Sequence, residues 1–312
     1  MTEKPSLEGK FLNCPGCLLK NPHFWIDAWN AVHRNSLSAR RRPDLNPVEC
    51  WNRLAGQVER WTDQANAGGR VARVLAWLER QGVLHSQLEV LDIGAGAGTF
   101  TIPLARRVKK VVALEPAPAV LTTLQKKVEA EGLTNVQFLN REWEKVDPVA
   151  EGLAGRFDLV FASLTPGVKD VETLVKMMTC SHKWCFLCDL AGQRWYPTWE
   201  ELWRDIFGEE PPLSPYDISY PFNYLYTSGY FPSVQLWADE WDKEDFSVDE
   251  AIVDLENRFQ FYVELTSEIK DKIANYIKQH ATNGVFQLKD RVRLGMILWR
   301  VDERWRNEVD GI

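Results

Sequence analysis

Three glycines at alternate positions follow a run of apolar residues and mark a place where a ligand could meet bare backbone. Gly94, Gly96 and Gly98 lie in the segment EVLDIGAGAGTFTIP at residues 89–103. A glycine inside a regular element costs about 0.5–1 kcal/mol relative to alanine, so three close together must serve the local geometry. Because a helix is predicted to follow, its first backbone N–H groups would favour a polar or anionic ligand at the same place.

Acidic residues occur at the ends of neighbouring predicted strands. Asp92 precedes the glycines, and Glu115 ends the next apolar run, VVALEP. In nucleotide-binding α/β domains a carboxylate at that second position binds the ribose hydroxyls. The spacing G-x-G-x-G differs from the G-x-G-x-x-G of dinucleotide sites. No basic residue follows Glu115 to receive the extra phosphate of NADP, so a nicotinamide cofactor is the weaker alternative.

Between about residues 70 and 190, predicted strands alternate with predicted helices, and these elements must position the glycines and the acidic residues. Apolar runs such as LEVLDIG, KVVALEP, FDLVFASL and KWCFLCDL alternate with segments of helical periodicity. These runs are continuously apolar, which is typical of strands that helices cover on both faces. The pattern predicts a doubly wound, mostly parallel α/β sheet.

The segments on either side of this region are predicted to be mainly helical. Residues 1–68 form a helical N-terminal extension or lid, and residues 69–312 form the main domain with an acceptor-side insert at about 191–285. PHFWIDAWNAVHRN is a predicted helix, and residues 48–82 are a longer helical region with a predicted pause near NAGGR. Residues 247–282 are predicted to hold two more helices. The closing segment GVFQLKDRVRLGMILWRVD is predicted as a strand or hairpin.

The charge of the chain opposes a nucleic-acid substrate. The 312 residues carry a net charge of −7, and the only dense basic run is Arg40-Arg41-Arg42. Proteins that neutralise many phosphates usually present a basic face. No apolar run is long enough to span a membrane, and the first residues lack the pattern of a secretory signal, so we expect no membrane association and a cytoplasmic protein.

The six cysteines are expected to be thiols rather than disulfides. Cys14 and Cys17 form CPGC, for which a tight turn with free thiols, a metal contact and a redox role all stay open. Cys185 and Cys188 lie in a predicted strand, where residues three apart point to opposite faces and would not share a metal ion. We predict no metal site.

The segment LDIGAGAGTFTIPLA resembles motif I of the class I S-adenosylmethionine-dependent methyltransferases. VQFLNREWEKVD is similar to the segment of that family whose acidic residue accepts a hydrogen bond from the adenine amino group. The resemblance implies a seven-stranded sheet. The strand near Ser233–Trp237 would be its sixth strand, and GMILWRV the seventh, which would be antiparallel. It implies that the cofactor contacts Asp92, Gly94, Ala95, Gly96, Gly98, Thr99, Glu115, Pro116, Glu142, Trp143, Ser163 and Leu164.

The resemblance further implies in-line transfer of the methyl group to an acceptor, with S-adenosylhomocysteine as the product. We expect a small-molecule acceptor. The end of the fourth strand reads ASLTPG rather than Asn or Asp followed by Pro-Pro-Tyr, which argues against transfer to a nucleobase or glutamine amide and identifies no catalytic residue. The alternatives are a protein or RNA methyltransferase that docks through Arg40–Arg42, and a non-catalytic module that binds S-adenosylmethionine.

The acceptor would sit between the sheet, the N-terminal extension and the insert, because ligands of open α/β sheets bind outside the carboxyl ends of the strands. CWNRLA is loosely similar to leaders that close over the cofactor in small-molecule methyltransferases. Side chains that could face the acceptor are Asp189, His33, His182, Tyr216, Tyr220, Tyr224 and Tyr226. Aromatic segments also hint at a homodimer. The acceptor and the methylated atom stay open.

Overall fold

The computed structural model describes residues 15–67, 69–192, 194–212, 216–240 and 245–305, and its centre is a seven-stranded sheet of order β3-β2-β1-β4-β5-β9-β6. The strands are β1 (Glu89–Ile93), β2 (Lys110–Leu114), β3 (Val136–Leu139), β4 (Phe157–Ser163), β5 (Ser181–Leu190), β6 (Ser233–Glu240), β7 (Asp245–Ser247), β8 (Val285–Gln287) and β9 (Arg291–Arg300). β7 and β8 form a separate two-stranded sheet.

The sheet is doubly wound and mostly parallel, as predicted. β1 pairs in parallel with both β2 and β4, so the chain reverses its direction of winding between them. β9 is antiparallel to β5 and β6 and lies between them. The crevice for a ligand therefore lies outside the carboxyl ends of β1 and β4.

Helices surround the sheet and also form most of the insert. They are α1 (Pro15–Leu18), α2 (Pro22–Arg34), α3 (Pro47–Arg53), α4 (Ala55–Ala67), α5 (Arg70–Arg80), α6 (Thr101–Ala105), α7 (Pro118–Ala130), α8 (Val171–Cys180), α9 (Pro197–Phe207), α10 (Ser219–Thr227) and α11 (Val248–Phe259), followed by the slightly longer α12 (Ser267–His280). One sheet face packs against α8, α2 and α10, and the other packs against α5 and α6. These apolar contacts drive the docking of the helices onto the sheet.

The N-terminal segment divides into more helices than the sequence predicted. In the expected helical region 48–82, α4 and α5 lie on either side of the predicted pause near NAGGR, and an additional break at Leu54 separates α3 from α4. α3 begins with Pro47 after Asn46, whose side-chain oxygen accepts the N–H of Val48 at 2.9 Å, a typical N-cap. α5 begins after Gly69, which has a positive φ of 77°. The proposed boundary between extension and main domain at residues 68–69 stays a prediction.

The insert has a small core of its own. Residues of α9, α11 and α12 surround buried Trp203 and Phe259, and β8 contributes Phe286. The closing segment is therefore two strands in different sheets, because β8 pairs with β7 of the insert whereas β9 enters the main sheet. This core explains how the insert holds its shape beside the main sheet.

The positions of the cysteines test the predictions made from their spacing in the sequence. Cys185 and Cys188 belong to the cores on opposite sheet faces, as predicted. They are buried thiols, and so are Cys50 and Cys180. Cys14 lies outside the described residues, and Cys17 lies in the short helix α1 rather than in a turn.

Candidate cofactor and acceptor site

The glycine segment forms a tight loop between β1 and α6, with each glycine in the left-handed region that other residues avoid. The φ angles are 71° at Gly94, 56° at Gly96 and 97° at Gly98. A Cβ atom at Gly94 would overlap the side chain of Thr165, and one at Gly98 would lie 2.6 Å from Leu124. A Cβ at Gly96 would meet only Val58, at an ordinary 3.6 Å. The absence of a side chain at Gly94 and Gly98 thus allows neighbouring side chains to pack against the loop. At Gly96 it leaves the backbone without a side chain of its own where a ligand would approach.

Glu115 holds this loop from the end of β2. Its carboxylate accepts the N–H of Gly96 at 3.0 Å through Oε2 and the N–H of Ala117 at 2.9 Å through Oε1. The side chain is only 6% exposed, and burial raises the pKa of this carboxyl above its usual value. A carboxylate has about four lone-pair sites, so two remain for the hydroxyls of a ligand.

Asp92 and its neighbours stabilise the loop from below. The hydroxyl of Thr101 donates to Asp92 Oδ2 at 2.6 Å, and burial raises the pKa of Asp92 to about 7. Ala95 donates its N–H to the carbonyl of Leu114 at 3.0 Å. Thr99 shares a 2.9 Å hydrogen bond between hydroxyls with Thr62 of α4. The structure therefore brings these predicted residues to the loop, with Asp92 beneath it.

A concavity of about 360 Å³ beside the loop contains both Pro116 and Glu142. Glu142 is bonded to the ammonium of Lys145 at 2.6 Å. Trp143 differs from its neighbour because its side chain is buried and its indole N–H donates to the carbonyl of Thr173 at 3.2 Å. Only the backbone of Trp143 is left to face a ligand.

The end of β4 completes this edge of the sheet. The hydroxyl of Ser163 is buried and interacts with the buried thiol of Cys188, its neighbour on β5. Leu164 has a φ of 50°, which is rare for a branched side chain and typical of functional sites. The next residue, Thr165, packs against Gly94. The twelve predicted cofactor residues thus lie on one edge, and their roles stay predictions.

These residues fit a cofactor that combines a ribose with an adenine and an amino-acid tail. The two remaining acceptor positions of Glu115 suit a pair of vicinal hydroxyls, and the bare backbone at Gly96 allows a close approach. S-adenosylmethionine, when bound, supplies a methyl group that its sulfonium has already activated.

The N-terminal helices and the insert meet above this edge. The side-chain amide of Gln57 in α4 bonds to buried Asp254 of α11, which also accepts from Arg258 at 2.7 Å. Trp51 of α3 packs against Phe261 with ring centres 5.9 Å apart. We call these two segments, residues 47–67 and 245–263, the roof.

The roof is also attached to the cofactor half of the sheet. The side chain of Asn52 accepts the N–H of Ala119 at the start of α7, at 2.9 Å. Lys127 of the same helix pairs with Asp63 at 3.1 Å. The loosely matched CWNRLA segment therefore covers the helix that follows Glu115.

The basic run does not form an open patch. Arg40 lies 4.0 Å from Glu209, and Arg42 pairs with Asp44. The guanidinium of Arg41 stacks over the ring of Phe261 at 5.2 Å. All three side chains therefore contact other parts of the chain, which weakens their expected role as a docking site.

The histidine candidates lie in different places. His182 is at the amino end of β5 and bonds to Asp158 at 3.1 Å, so the expectation that it could act as a base is wrong, because this end is opposite the crevice. His33 is at the end of α2, and burial followed by the nearby charge of Lys169 lowers its pKa.

A cluster that the sequence did not assemble lies at the carboxyl end of β5. Asp189 Oδ2 accepts the hydroxyl of Tyr216 at 3.0 Å, and the Tyr216 ring stacks on Trp29 of α2. Tyr220 stacks on the same tyrosine, whereas Tyr226 is 63% exposed. Tyr224 packs against the core of this sheet face. Only the strand-end position of Asp189 was visible as a sequence signal.

Residues 90–183 match the family described as "Methyltransferase domain", which covers less than a third of the chain. The YcgJ protein of Bacillus subtilis has a similar fold, with a TM-score of 0.51 at 14% identity over 75% of this chain and 100% of that one. The "Probable ribosomal RNA small subunit methyltransferase A" of Methanosphaera stadtmanae is 41% identical over 58 residues, 19% of this chain. The "23S rRNA (uracil(1939)-C(5))-methyltransferase RlmD" of Edwardsiella ictaluri is 37% identical over 75 residues, 24% of this chain.

These matches indicate which kind of domain the central region resembles. The chain spans only 21% and 16% of the lengths of the two curated relatives. The chain therefore contains a region that matches methyltransferase domains, and its similarity to YcgJ concerns the fold alone.

A membrane-spanning helix and a metal site were both predicted to be absent. None of the helices in the described ranges is long and apolar enough to cross a membrane. Within those ranges, no group of three or more His, Cys, Asp or Glu side chains could hold a metal ion. The expected absence of a metal stays a prediction, since Cys14 of CPGC is outside them.

Proposed function

We propose that this protein transfers the methyl group of S-adenosylmethionine to a small-molecule acceptor enclosed between the sheet and the roof. The cofactor would bind at the glycine loop, with its ribose on Glu115 and its adenine near Glu142. The chain would orient the acceptor behind the methyl group and exclude water, which is the main contribution that alignment makes to such a transfer.

The observation that carries this proposal is the roof. The Gln57–Asp254 hydrogen bond and the Trp51–Phe261 contact join two segments far apart in sequence, and Asn52 attaches them to the helix that follows Glu115. A covered crevice suits a molecule that can be enclosed, whereas a long polymer needs an open groove. The net charge of −7 and the internal contacts of Arg40–Arg42 point the same way.

RNA is the second candidate acceptor, because both curated relatives reported above are named as ribosomal RNA methyltransferases. Their similarity covers at most 24% of this chain and therefore bears on the cofactor half rather than on the roof. A protein acceptor and a non-catalytic role are separate outcomes of the same experiment.

The test supplies methyl-labelled S-adenosylmethionine together with a low-molecular-mass metabolite fraction, total RNA or total protein in separate reactions. We expect label in the metabolite fraction only, with release of S-adenosylhomocysteine. Glu115→Gln should abolish the labelling, whereas the matched control Glu129→Gln, on the exposed side of α7, should retain it. Label in RNA or protein would contradict the small-molecule acceptor, and cofactor binding without any transfer would support a non-catalytic module.

A further inference from the structure

The aromatic residues beside Asp189 form a continuous stack at the carboxyl end of β5. The ring of Tyr216 lies 5.9 Å from that of Trp29 at an interplanar angle of 21°, and 6.2 Å from that of Tyr220 at 20°. The Tyr216 hydroxyl donates to Asp189 Oδ2 at 3.0 Å, and the N–H of Leu190 donates to Oδ1 at 2.7 Å. We call Asp189, Tyr216, Trp29 and Tyr220 the β5 cluster.

The β5 cluster adjoins the place where the methyl group would be presented. The N–H of Leu164 donates to the carbonyl of Cys188 at 2.9 Å, so Asp189 is one strand spacing, about 4.8 Å, from the residue that follows β4. Thr165 then packs against Gly94 of the cofactor loop. The contacts therefore run without a break from the glycine loop to the β5 cluster.

The carboxylate of Asp189 has no cation beside it within the residues that the structure describes. The other charged group that acts on it is Asp217, a second carboxylate, and burial is the main cause that raises the pKa of Asp189 to about 6. The side chain of Asp189 is half-buried, and a partly desolvated carboxylate without a counter-charge would stabilise a cation that entered this site.

A second observation also indicates a polar ligand. The indole N–H of Trp29 is buried and has no acceptor in the described part of the chain, although the side chain is 0% exposed. Buried indole N–H groups usually have a partner. The cluster thus holds an unbalanced negative charge and an unsatisfied donor, which an acceptor atom elsewhere on a ligand would satisfy.

We propose that the β5 cluster is the acceptor subsite and that the acceptor is a small molecule with an aliphatic amine. Asp189 would bind the ammonium form by a charge-assisted hydrogen bond that is also an ion pair. A neutral hydroxyl could donate to the same carboxylate but would lack the ion pair, and a thiol is a weaker donor. This inference rests on the proposed methyl transfer and narrows its substrate class.

The reaction requires the nitrogen to lose a proton before it can attack, because an ammonium has no lone pair. The ammonium N–H gives its proton to the carboxylate of Asp189. The nitrogen lone pair then forms the new N–CH₃ bond as the C–S bond breaks and its electrons stay on sulfur, which gives S-adenosylhomocysteine. The product is a methylated ammonium, and Asp189 returns its proton to water.

The test uses benzylamine and benzyl alcohol as a matched pair of probes on the protein saturated with S-adenosylhomocysteine. Calorimetry at neutral pH should show benzylamine binding and no comparable binding of the alcohol. Asp189→Asn, which keeps an acceptor for Tyr216, should weaken benzylamine binding about tenfold or more, the effect of one charged hydrogen bond. Glu129→Gln, which changes an exposed carboxylate of α7, is the control and should change the affinity less than about threefold.

A second experiment uses the wild-type protein, so its outcome does not depend on whether a variant folds. Protonation of Asp189 as the pH falls below about 6 should release benzylamine, with Tyr216 and Asp217 as the titratable groups that face it. Equal binding of alcohol and amine, no amine binding, or an unchanged affinity in Asp189→Asn would overturn the amine subsite. Failure of S-adenosylhomocysteine to bind would instead overturn the proposed function itself.

Discussion

The replacement Glu115→Gln separates a cofactor-binding role of this side chain from a structural one. In the structure each carboxylate oxygen accepts one backbone N–H, from Gly96 at 3.0 Å and from Ala117 at 2.9 Å. Glutamine has a single oxygen, so its NH₂ group must face one of these two N–H donors. The side chain is 6% exposed, and water cannot easily satisfy the donor that is left.

The two roles predict losses of different kinds. One unsatisfied backbone donor should lower the free energy of unfolding by about 1–3 kcal/mol, and each kcal/mol corresponds to roughly 2–4 °C in the melting temperature of a chain of this size. A hydrogen bond from a ribose hydroxyl to a charged acceptor contributes about 1.5–3 kcal/mol. Its loss should therefore raise the Kd of S-adenosylhomocysteine roughly 10- to 150-fold.

The assay measures both quantities on the same preparations, the melting temperature by calorimetry and the Kd by titration at a temperature where the variant is folded. Glu129→Gln is the control, because it changes an exposed carboxylate of α7 by the same atoms. We expect the control to match the wild type in both. A lower melting temperature with a Kd within about threefold of the wild type would refute the reasoning, since Glu115 would then only brace the loop.

Three other predictions follow from contacts around the site. Gly96→Ala should weaken cofactor binding more than stability, whereas Gly98→Ala should mainly lower the melting temperature because its Cβ would lie 2.6 Å from a neighbouring leucine; the reverse order would contradict this division. The pKa of Asp92 is about 7 in the folded chain and 3.8 ordinarily, so the folded state retains the proton between these values and the free energy of unfolding should fall as the pH rises from about 4 to 7. In denaturant titrations the free energy of unfolding of the wild type should fall by up to roughly 1.4 kcal/mol per pH unit through Asp92, and Asp92→Asn should lack this fall. An equal pH dependence in the two proteins would contradict the prediction. Gln57→Leu should leave the buried carboxylate of Asp254 one donor short and lower the free energy of unfolding by about 1–3 kcal/mol, which an unaltered denaturation midpoint would exclude.

The sheet was predictable because its signal is local. The runs that form β1, β2, β4 and β5 are continuously apolar, and only strands covered on both faces can bury such runs. The ends of these strands then follow from the same pattern, which is why Glu115 and Gly96 were found together. Helix boundaries were less accurate where no glycine or proline marks the break, as at Leu54 between α3 and α4.

The roof and the β5 cluster were not predictable because their contacts join segments far apart in sequence. Gln57 and Asp254 bond across 197 residues, and Tyr216 reaches Asp189 across 27. No periodicity in one segment encodes its partner in another. Trp143 illustrates the same limit within one motif, since its position after β3 was evident but the burial of its side chain against Thr173 depended on α8.

The same hydrogen bonds that close the roof also determine how a ligand can enter. Trp29 is fully buried, so an acceptor that reached it would require the extension or the insert to move. The bond between Gln57 and Asp254 lies in a polar network with Arg258 rather than in an apolar core. Such contacts can open at lower cost than a packed core, because water can replace each hydrogen bond as it breaks. The core of the insert around Trp203 would keep its packing during that motion, which makes movement of the insert as a unit the simplest route to the acceptor subsite.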